Sequence, residues 1–317
     1  MEDIGLILRG LIKDNEYSLT TNGTTTAHCI VNHNGTGVVA APANSINVIG
    51  VESRGLGHTT GLGITFKSAG ITPVATYSKV TAGKNIKSGP DGLAVEMLDA
   101  SHVNAALGGG EYTTVTGVGY ANQPANDTVD VISAGAGDTV TVTVYGLVHA
   151  GTVIGSEAIA ITGGVETVGI VVFDTILGAT VSAAHAGTIS IHEHSGSAII
   201  TTILTGSLST GIATATDPRA YCGKFDIICS DTSTKKVGIV GKSITGAALS
   251  EQITLNGATK VPTVNEYVQV TTLLFGDVEA ARTISATTRT TEDDEHVKVG
   301  VALTSVTTAG EIYAKLV

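Results

Sequence analysis

The sequence predicts an all-β protein, with an N-terminal β-barrel-like domain followed by two tandem β-sandwich repeats. Three observations predict this fold class. Of the 317 residues, 42% are apolar, only 14% are charged and none is tryptophan. Threonine, valine, isoleucine and alanine form short runs separated by 40 glycines, a composition typical of strands joined by tight turns. The second half of the chain also repeats itself after 94 to 96 residues.

Charge and cysteine content exclude several classes of protein. The chain carries 17 basic and 28 acidic residues, for a net charge of −11, without a basic cluster. This balance disfavours direct binding to nucleic acid, which needs concentrated positive charge. No apolar run reaches the ~18 residues of a membrane helix, so we expect no membrane partner. Three scattered cysteines do not make a disulfide framework, which fits assembly in a reducing cytoplasm.

Residues 1–20 are predicted to form an N-terminal arm. The period of its apolar residues is ambiguous between helix and strand. Such an arm either docks on a neighbouring subunit or packs on its own domain, and the sequence leaves both open. The apolar residues are Ile4, Leu6, Ile7, Leu8, Leu11 and Ile12.

Residues 21–127 are predicted to form the β-rich, barrel-like domain. Turn formers such as Asn34-Gly35 separate strand-length runs with β-branched content. One helix is predicted over residues 93–107, because its apolar side chains can share a face. The strand-length runs are 29–31, 37–40, 46–51 and 63–66.

Residues 128–220 and 221–317 are predicted to be two copies of one β-sandwich. Glu157 recurs as Glu251, and Gly163 as Gly257, each after 94 residues. Residues 139–145 and 296–303 alternate strictly between apolar and polar positions, which places one set on a core face and the other in solvent. A unit of ~95 residues is typical of an immunoglobulin-like sandwich. The recurrence also covers Ser156, Ile159 and Phe173, which match Ser250, Ile253 and Tyr267.

Glycine-rich segments match ligand-binding motifs only in part. Residues 238–243 lack the glycine that a phosphate-binding loop needs, since Lys236 stands there; we interpret them as a β-turn. Residues 55–61 have one residue too many for a dinucleotide fingerprint and are interpreted as a loop. Residues 206–211 do not match a nucleophile elbow.

The best metal candidate is the pair His192 and His194. On a strand the two side chains project from one face and could chelate zinc or nickel, but a site needs three or four ligands. No third ligand is fixed by spacing, since His185 lies in a predicted loop. A solvent-facing pair is therefore the preferred interpretation, and metal binding stays open. The acidic run 292–295 is interpreted as a solvated hairpin loop rather than a calcium site.

No catalytic triad or carboxylate pair can be assembled from the spacing of the ionisable residues. Cys222 and Cys229 are seven residues apart, on opposite faces of a strand, and are interpreted as buried small hydrophobic residues. We therefore expect a protein that is not an enzyme and holds no cofactor, and we assign no metal-binding residues.

Two stretches resemble virion proteins of tailed bacteriophages. Residues 246–257 with 268–271 resemble a stretch of immunoglobulin-like modules in capsid and tail components. Residues 80–92 resemble a head decoration module, in which a strand such as 116–121 leads into an alternating strand such as 126–131. The resemblance covers about two thirds of the chain and rests on degenerate motifs.

This resemblance implies a non-enzymatic structural protein of the virion, assembled in the host cytoplasm. The implied role is capsid decoration or cement, in which many copies bridge major capsid subunits. A homo-oligomer, with a trimer favoured, would match the capsid axes. The alternatives are a tail tube or tail-tip protein and a carbohydrate-binding adhesin, although 12 Phe and Tyr and no Trp disfavour an adhesin. A metallohydrolase built on His192 and His194 comes last.

Overall fold

The computed structural model describes the chain in segments separated by gaps. Within these segments every regular element is a β-strand, apart from one 3-10 turn at Pro90–Gly92. The predicted all-β class is therefore confirmed. The described residues are 16–20, 23, 25–33, 38–43, 48–52, 63–97, 115–150, 153–214, 220, 222–288 and 298–317.

Twenty-six strands lie within the described segments. The first nine are β1 (Glu16–Thr20), β2 (Ile30–His33), β3 (Val38–Ala40), β4 (Val48–Glu52), β5 (Gly63–Lys67), β6 (Gly70–Thr76), β7 (Asn85–Ser88), β8 (Ala94–Glu96) and β9 (Val115–Thr116). The next nine are β10 (Val129–Ser133), β11 (Thr139–Val148), β12 (Ile154–Thr162), β13 (Thr167–Val168), β14 (Phe173–Val181), β15 (Ile189–Glu193), β16 (Ile199–Ile203), β17 (Ser209–Thr210) and β18 (Ile212–Thr214). The last eight are β19 (Phe225–Cys229), β20 (Lys236–Ser243), β21 (Ala248–Thr254), β22 (Val261–Pro262), β23 (Tyr267–Leu274), β24 (Thr283–Thr288), β25 (Gly300–Ala302) and β26 (Gly310–Leu316).

The N-terminal unit contains a sheet and a ring of strands. The sheet has the order β1-β5-β4-β2-β3, and five further strands pair in a closed circuit, β25-β26-β6-β8-β7. Strands β2 to β5 confirm the four runs predicted between residues 29 and 66. Residues 16–20 of the predicted arm form β1, whereas residues 1–15 lie outside the described segments.

The helix predicted over residues 93–107 is wrong where the structure describes it. Ala94–Glu96 form β8, and residues 98–107 lie outside the described segments. Ala94 pairs with Thr76 and Glu96 pairs with Ile86. Strand neighbours therefore determine the conformation of a short apolar segment whose pattern fits either element.

The last two strands pair with the N-terminal unit, although the sequence assigned residues 221–317 to the second repeat. β25 pairs with β7, and β26 pairs with β6 along its whole length. Ile312, Ala314 and Leu316 are buried while the residues between them are exposed. The buried side chains of β26 therefore pack in the core of the ring, which includes Val74 and Ile86.

Each of the two repeats consists of two four-stranded sheets around an apolar core. The first repeat has the strand orders β13-β10-β15-β16 and β12-β11-β14-β17. The second repeat has the equivalent orders β22-β19-β24-β9 and β18-β23-β20-β21. In β11 the buried residues alternate with threonines, as predicted for residues 139–145. Of the strand predicted over 296–303, the structure describes β25 and leaves 296–297 outside.

One segment joins the two repeats, and we call residues 115–123 the connector. The sequence assigned these residues to the N-terminal domain, but β9 pairs with β24 at the edge of the second repeat. Tyr120 is buried in the core of the first repeat. The connector N–H groups of Gly117, Gly119 and Tyr120 donate to carbonyls of Arg282, Val278 and Gly276 in the second repeat, and that of Ala121 donates to Ile200 in the first.

Side chains add a second contact between the repeats. Leu147 and Leu177 of the first repeat are buried against Leu274 of the second, with Ile154 and Val240 at the margin. Each buried leucine contributes roughly 2 kcal/mol when its apolar surface leaves water. Together with the connector, this contact makes the repeats one packed body.

The N-terminal unit also packs on the second repeat. Val95 of β8 lies in a buried cluster with Cys222 and Val268. Lys87 is buried, and its Nζ donates to the carbonyl oxygen of Cys222 at 3.1 Å. The ammonium charge therefore lies at the contact between the two units, where a hydrogen bond offsets part of its burial cost.

The recurring glycine at position 163 is required by close backbone approach. A Cβ atom there would lie 1.7 Å from the carbonyl oxygen of Gly135. The Gly163 N–H also donates to the Asp138 carbonyl at 2.7 Å, which fixes this approach. At Gly137, in the turn between β10 and β11 that also contains Gly135, a Cβ atom would meet nothing within 4 Å.

We expect Gly163→Ala to lower the free energy of unfolding by about 3 kcal/mol, because the methyl group displaces backbone. The control Gly137→Ala should change it by less than about 1 kcal/mol. Urea unfolding followed by circular dichroism measures both values. Equal effects of the two substitutions would contradict the close approach.

Candidate functional site

The loop that follows β13 is held by a carboxylate from β12. Glu157 accepts hydrogen bonds from the backbone N–H groups of Ile170 and Val171, at 2.6 and 3.1 Å. Glu157 is the only charged residue in β12. The alternating strand thus points one acidic side chain toward the neighbouring loop, where two donors stabilise its charge.

The second repeat contains the same arrangement. Glu251 of β21 accepts from the backbone N–H groups of Val264 and Asn265, at 2.8 and 3.0 Å. The side-chain amide of Asn265 also donates to Glu251 at 2.6 Å. The glutamate and both donors recur after 94 residues. The recurrence found in the sequence is therefore a recurrence of loop geometry.

Each held loop presents one apolar side chain to solvent. Ile170 is 87% exposed and Val264 is 80% exposed, the highest values among the large hydrophobic residues that the structure describes. Exposed apolar side chains of this kind often mark contact sites. Because the backbone beside each is already fixed by hydrogen bonds, docking costs little additional backbone entropy.

A shallow groove lies beside the Val264 loop. It has a volume of about 350 Å³ and is shared between the repeats, since Val153 precedes β12 and Val264 follows β22. Val153 is 65% exposed. The remaining lining residues are Ser250, Glu251, Gln252 and Asn265. The groove can receive an apolar side chain between two valines.

Tyr267 interacts with the groove residue Glu251, and it has the position that Phe173 has in the first repeat. It is fully buried and packs edge-on against Phe225. Burial, and to a lesser degree the charge of Glu251, raises the pKa of the Tyr267 phenol far above its ordinary value. The phenol therefore stays neutral, and Glu251 is the acidic residue that lines the groove.

The structure gives each histidine of the predicted metal pair a carboxylate partner. His194 Nδ1 lies 2.9 Å from both carboxylate oxygens of Asp130, and His192 Nδ1 lies 3.4 Å from Glu166. Across the described segments, no cluster of three or more His, Cys, Asp and Glu side chains has the placement of a metal site. Each pair is a local contact between one histidine and one carboxylate.

Asp130 changes the titration of His194. The hydrogen bond to Asp130, followed by the charge of that carboxylate, raises the pKa of His194, and Asp127 adds a smaller contribution.

His185 lies apart from this pair. It is buried, with Nδ1 2.6 Å from the Gly187 carbonyl oxygen and Nε2 2.9 Å from the Ser207 carbonyl oxygen. It holds two loops together.

The glycine-rich segments have ordinary places in the sheets. Residues 238–243 lie in β20, paired on both sides, so the turn predicted there is wrong. Their backbone N–H groups serve the sheet rather than a phosphate cradle. Residues 206–211 contain a turn and β17. Residues 55–61 and 292–295 lie outside the described segments.

The three cysteines are buried and form no disulfide. Burial raises the pKa of the Cys29 thiol to about 11 and also raises that of Cys229. Thiols in this state are poor nucleophiles. The burial of Cys222 and Cys229 agrees with their interpretation as small hydrophobic core residues.

No model of a protein family matches the chain, and no curated protein is similar to it. No helix among the described residues has the length and apolar character needed to cross a lipid bilayer.

The sequence did not identify Ile170 and Val264 as candidate contact residues. An apolar residue that recurs in two loops, 13 positions after a recurring glutamate, is the signal that could have found them.

We expect Glu157→Ala and Glu251→Ala each to lower the free energy of unfolding by about 2 kcal/mol, because two backbone donors lose a charged acceptor. Hydrogen exchange at the amides of residues 170 and 171, or 264 and 265, should accelerate in the same variants. Glu266→Ala, at a partly exposed glutamate of the same loop, is the control and should change neither quantity. Unchanged exchange in the first two variants would show that the carboxylates do not hold the loops.

We expect Asp130→Asn to lower the pKa of His194 toward its ordinary value of about 6.5, as measured by NMR titration of the imidazole. Because the folded pKa is raised, the stability that this pair contributes is present below that value. It is lost as pH rises through the folded pKa, and the variant should lack this step. Asp127→Asn should lower the pKa less, and an equal effect would contradict the assignment to Asp130.

Proposed function

We propose that this chain is a non-enzymatic structural protein of a tailed-bacteriophage virion, with capsid decoration as its role. One observation carries the proposal. A rigid β-body presents an exposed apolar side chain, Val264, on a loop already fixed by Glu251. A surface of this kind suits docking on another protein with little loss of entropy.

The architecture supports a bridging role. The N-terminal unit packs on the second repeat, and the connector and the leucine contact join the two repeats. A protein that spans neighbouring subunits transmits force only if its own units do not separate. We propose that the N-terminal unit acts as a β-barrel-like domain that docks on the shell, and that the repeats are immunoglobulin-like modules that bridge.

The proposed partner is the major capsid protein or another virion protein. A capsid presents identical subunits at fixed spacing, so many weak contacts act together and give high overall avidity. A single valine in a groove of about 350 Å³ is then sufficient for each contact. The proposed location is the assembled virion.

The test is co-sedimentation of the purified protein with purified expanded capsids and, separately, with purified tails of the phage that encodes it. We expect the protein to pellet with capsids at a saturable ratio. Val264→Asp should weaken this binding at least tenfold, because a carboxylate replaces the apolar contact. The control Leu204→Asp changes another exposed apolar residue, which lies in the first repeat and is 63% exposed, and this variant should bind normally.

Two results would contradict the proposal. Failure to bind capsids, with correct folding shown by circular dichroism, would exclude decoration. Binding to tails alone would favour a tail component instead.

A further inference from the structure

Strand β12 is an open edge of the first repeat. It has nine residues, the longest edge strand that the structure describes, and it pairs only with β11. Among the described residues, none outside β11 hydrogen-bonds to the backbone of residues 155–161. Its outward N–H and C=O groups therefore form a template for another strand.

The opposite side of the repeats is covered. The connector donates to β16 through the Ala121 N–H and the Asn122 side chain. In the second repeat β9 pairs with β24 at the equivalent edge. The same connector thus protects one side of both repeats, whereas β12 on the other side has no such cover.

β12 lacks the features that protect natural edge strands. It contains no lysine and no proline, and its pairing with β11 runs without a bulge. Its one charge, Glu157, is engaged by the loop that follows β13. The outer face of the strand carries only small exposed side chains, those of Ser156, Ala158, Ala160 and Thr162.

Apolar side chains lie next to this edge. Val165, Val168 and Ile170 are 59%, 51% and 87% exposed. The Ile170 N–H is bonded to Glu157 of β12, which places this loop beside the strand. An occupant that pairs with β12 would cover these side chains as well.

We propose that β12 pairs antiparallel with β12 of a second copy of this chain, which joins two four-stranded sheets into one of eight strands. The side-chain pattern of β12 favours this occupant, because the strand is self-complementary in an antiparallel register. A net charge of −11 opposes contact between copies elsewhere on their surfaces, whereas the one carboxylate of β12 is engaged by the loop of its own chain.

The side chains of β12 fit this two-fold pairing. About an axis at Ile159, Ala158 faces Ala160 of the second copy, and Ser156 faces Thr162, so small residues meet small residues. The contact has two-fold symmetry, unlike the three-fold ring expected from capsid axes. It does not depend on the capsid role, since the groove at Val264 is a different surface.

The first test is sedimentation equilibrium of the purified chain over a range of concentrations. We expect a dimer, and Ala158→Lys should weaken it at least tenfold, because each lysine then replaces the small residue that faces Ala160 and the two lysines lie diagonally across the axis. The matched control is Gln252→Lys, at the equivalent position of β21, which should leave the dimer unchanged. Circular dichroism shows whether each variant is folded.

The second test shows which residues of the two β12 strands face each other. A mixture of Ala158→Cys and Ala160→Cys chains should form a mixed disulfide dimer under mild oxidation, since the native cysteines are buried. A wild-type chain that stays monomeric up to ~100 μM would overturn the proposal. So would a dimer that Ala158→Lys leaves intact, or one that forms no mixed disulfide.

Discussion

The connector is the constraint on which the arrangement of the repeats depends. Residues 115–123 precede both repeats in the chain, yet they hydrogen-bond to both. The Tyr120 ring lies so close to Gly276 that a Cβ atom there would be 2.3 Å from it. Gln123 adds two hydrogen bonds to the backbone of Ile176, at 2.7 and 3.1 Å. Because one short segment satisfies backbone groups in two cores, neither repeat can shift without breaking these bonds.

Because the repeats are held together, the exposed surfaces keep a fixed position relative to one another. The loop that presents Val264 and the edge of β12 are both accessible, whereas the edges beside the connector are covered. The two surfaces carry the two proposed contacts, one with a foreign partner and one with a second copy. A protein built from several weak contacts needs fixed geometry between them, since avidity depends on simultaneous engagement.

The sequence predicted the local features well and the long-range ones poorly. Alternation of valine and threonine predicted β11, and the recurrence of Glu157 and Gly163 predicted two equivalent units. Composition could not show that β26 returns to the ring, because pairing between residues 240 positions apart leaves no local pattern. The pairing of the connector leaves no local pattern for the same reason, since its partners lie in strands far along the chain. The candidate site could not be predicted without side-chain positions. The recurrence of Glu157 and Glu251 is visible in the sequence, but only the structure shows that each glutamate holds a loop.

Amide hydrogen exchange within the connector tests the central claim most directly. If residues 115–123 join the two repeats, the N–H groups of Gly119, Tyr120 and Ala121 should exchange as slowly as those in the middle of β11 and β20, through global unfolding alone. Exchange of these amides at the rate of an exposed loop, while β11 and β20 stay protected, would show that the repeats are independent and contradict the account.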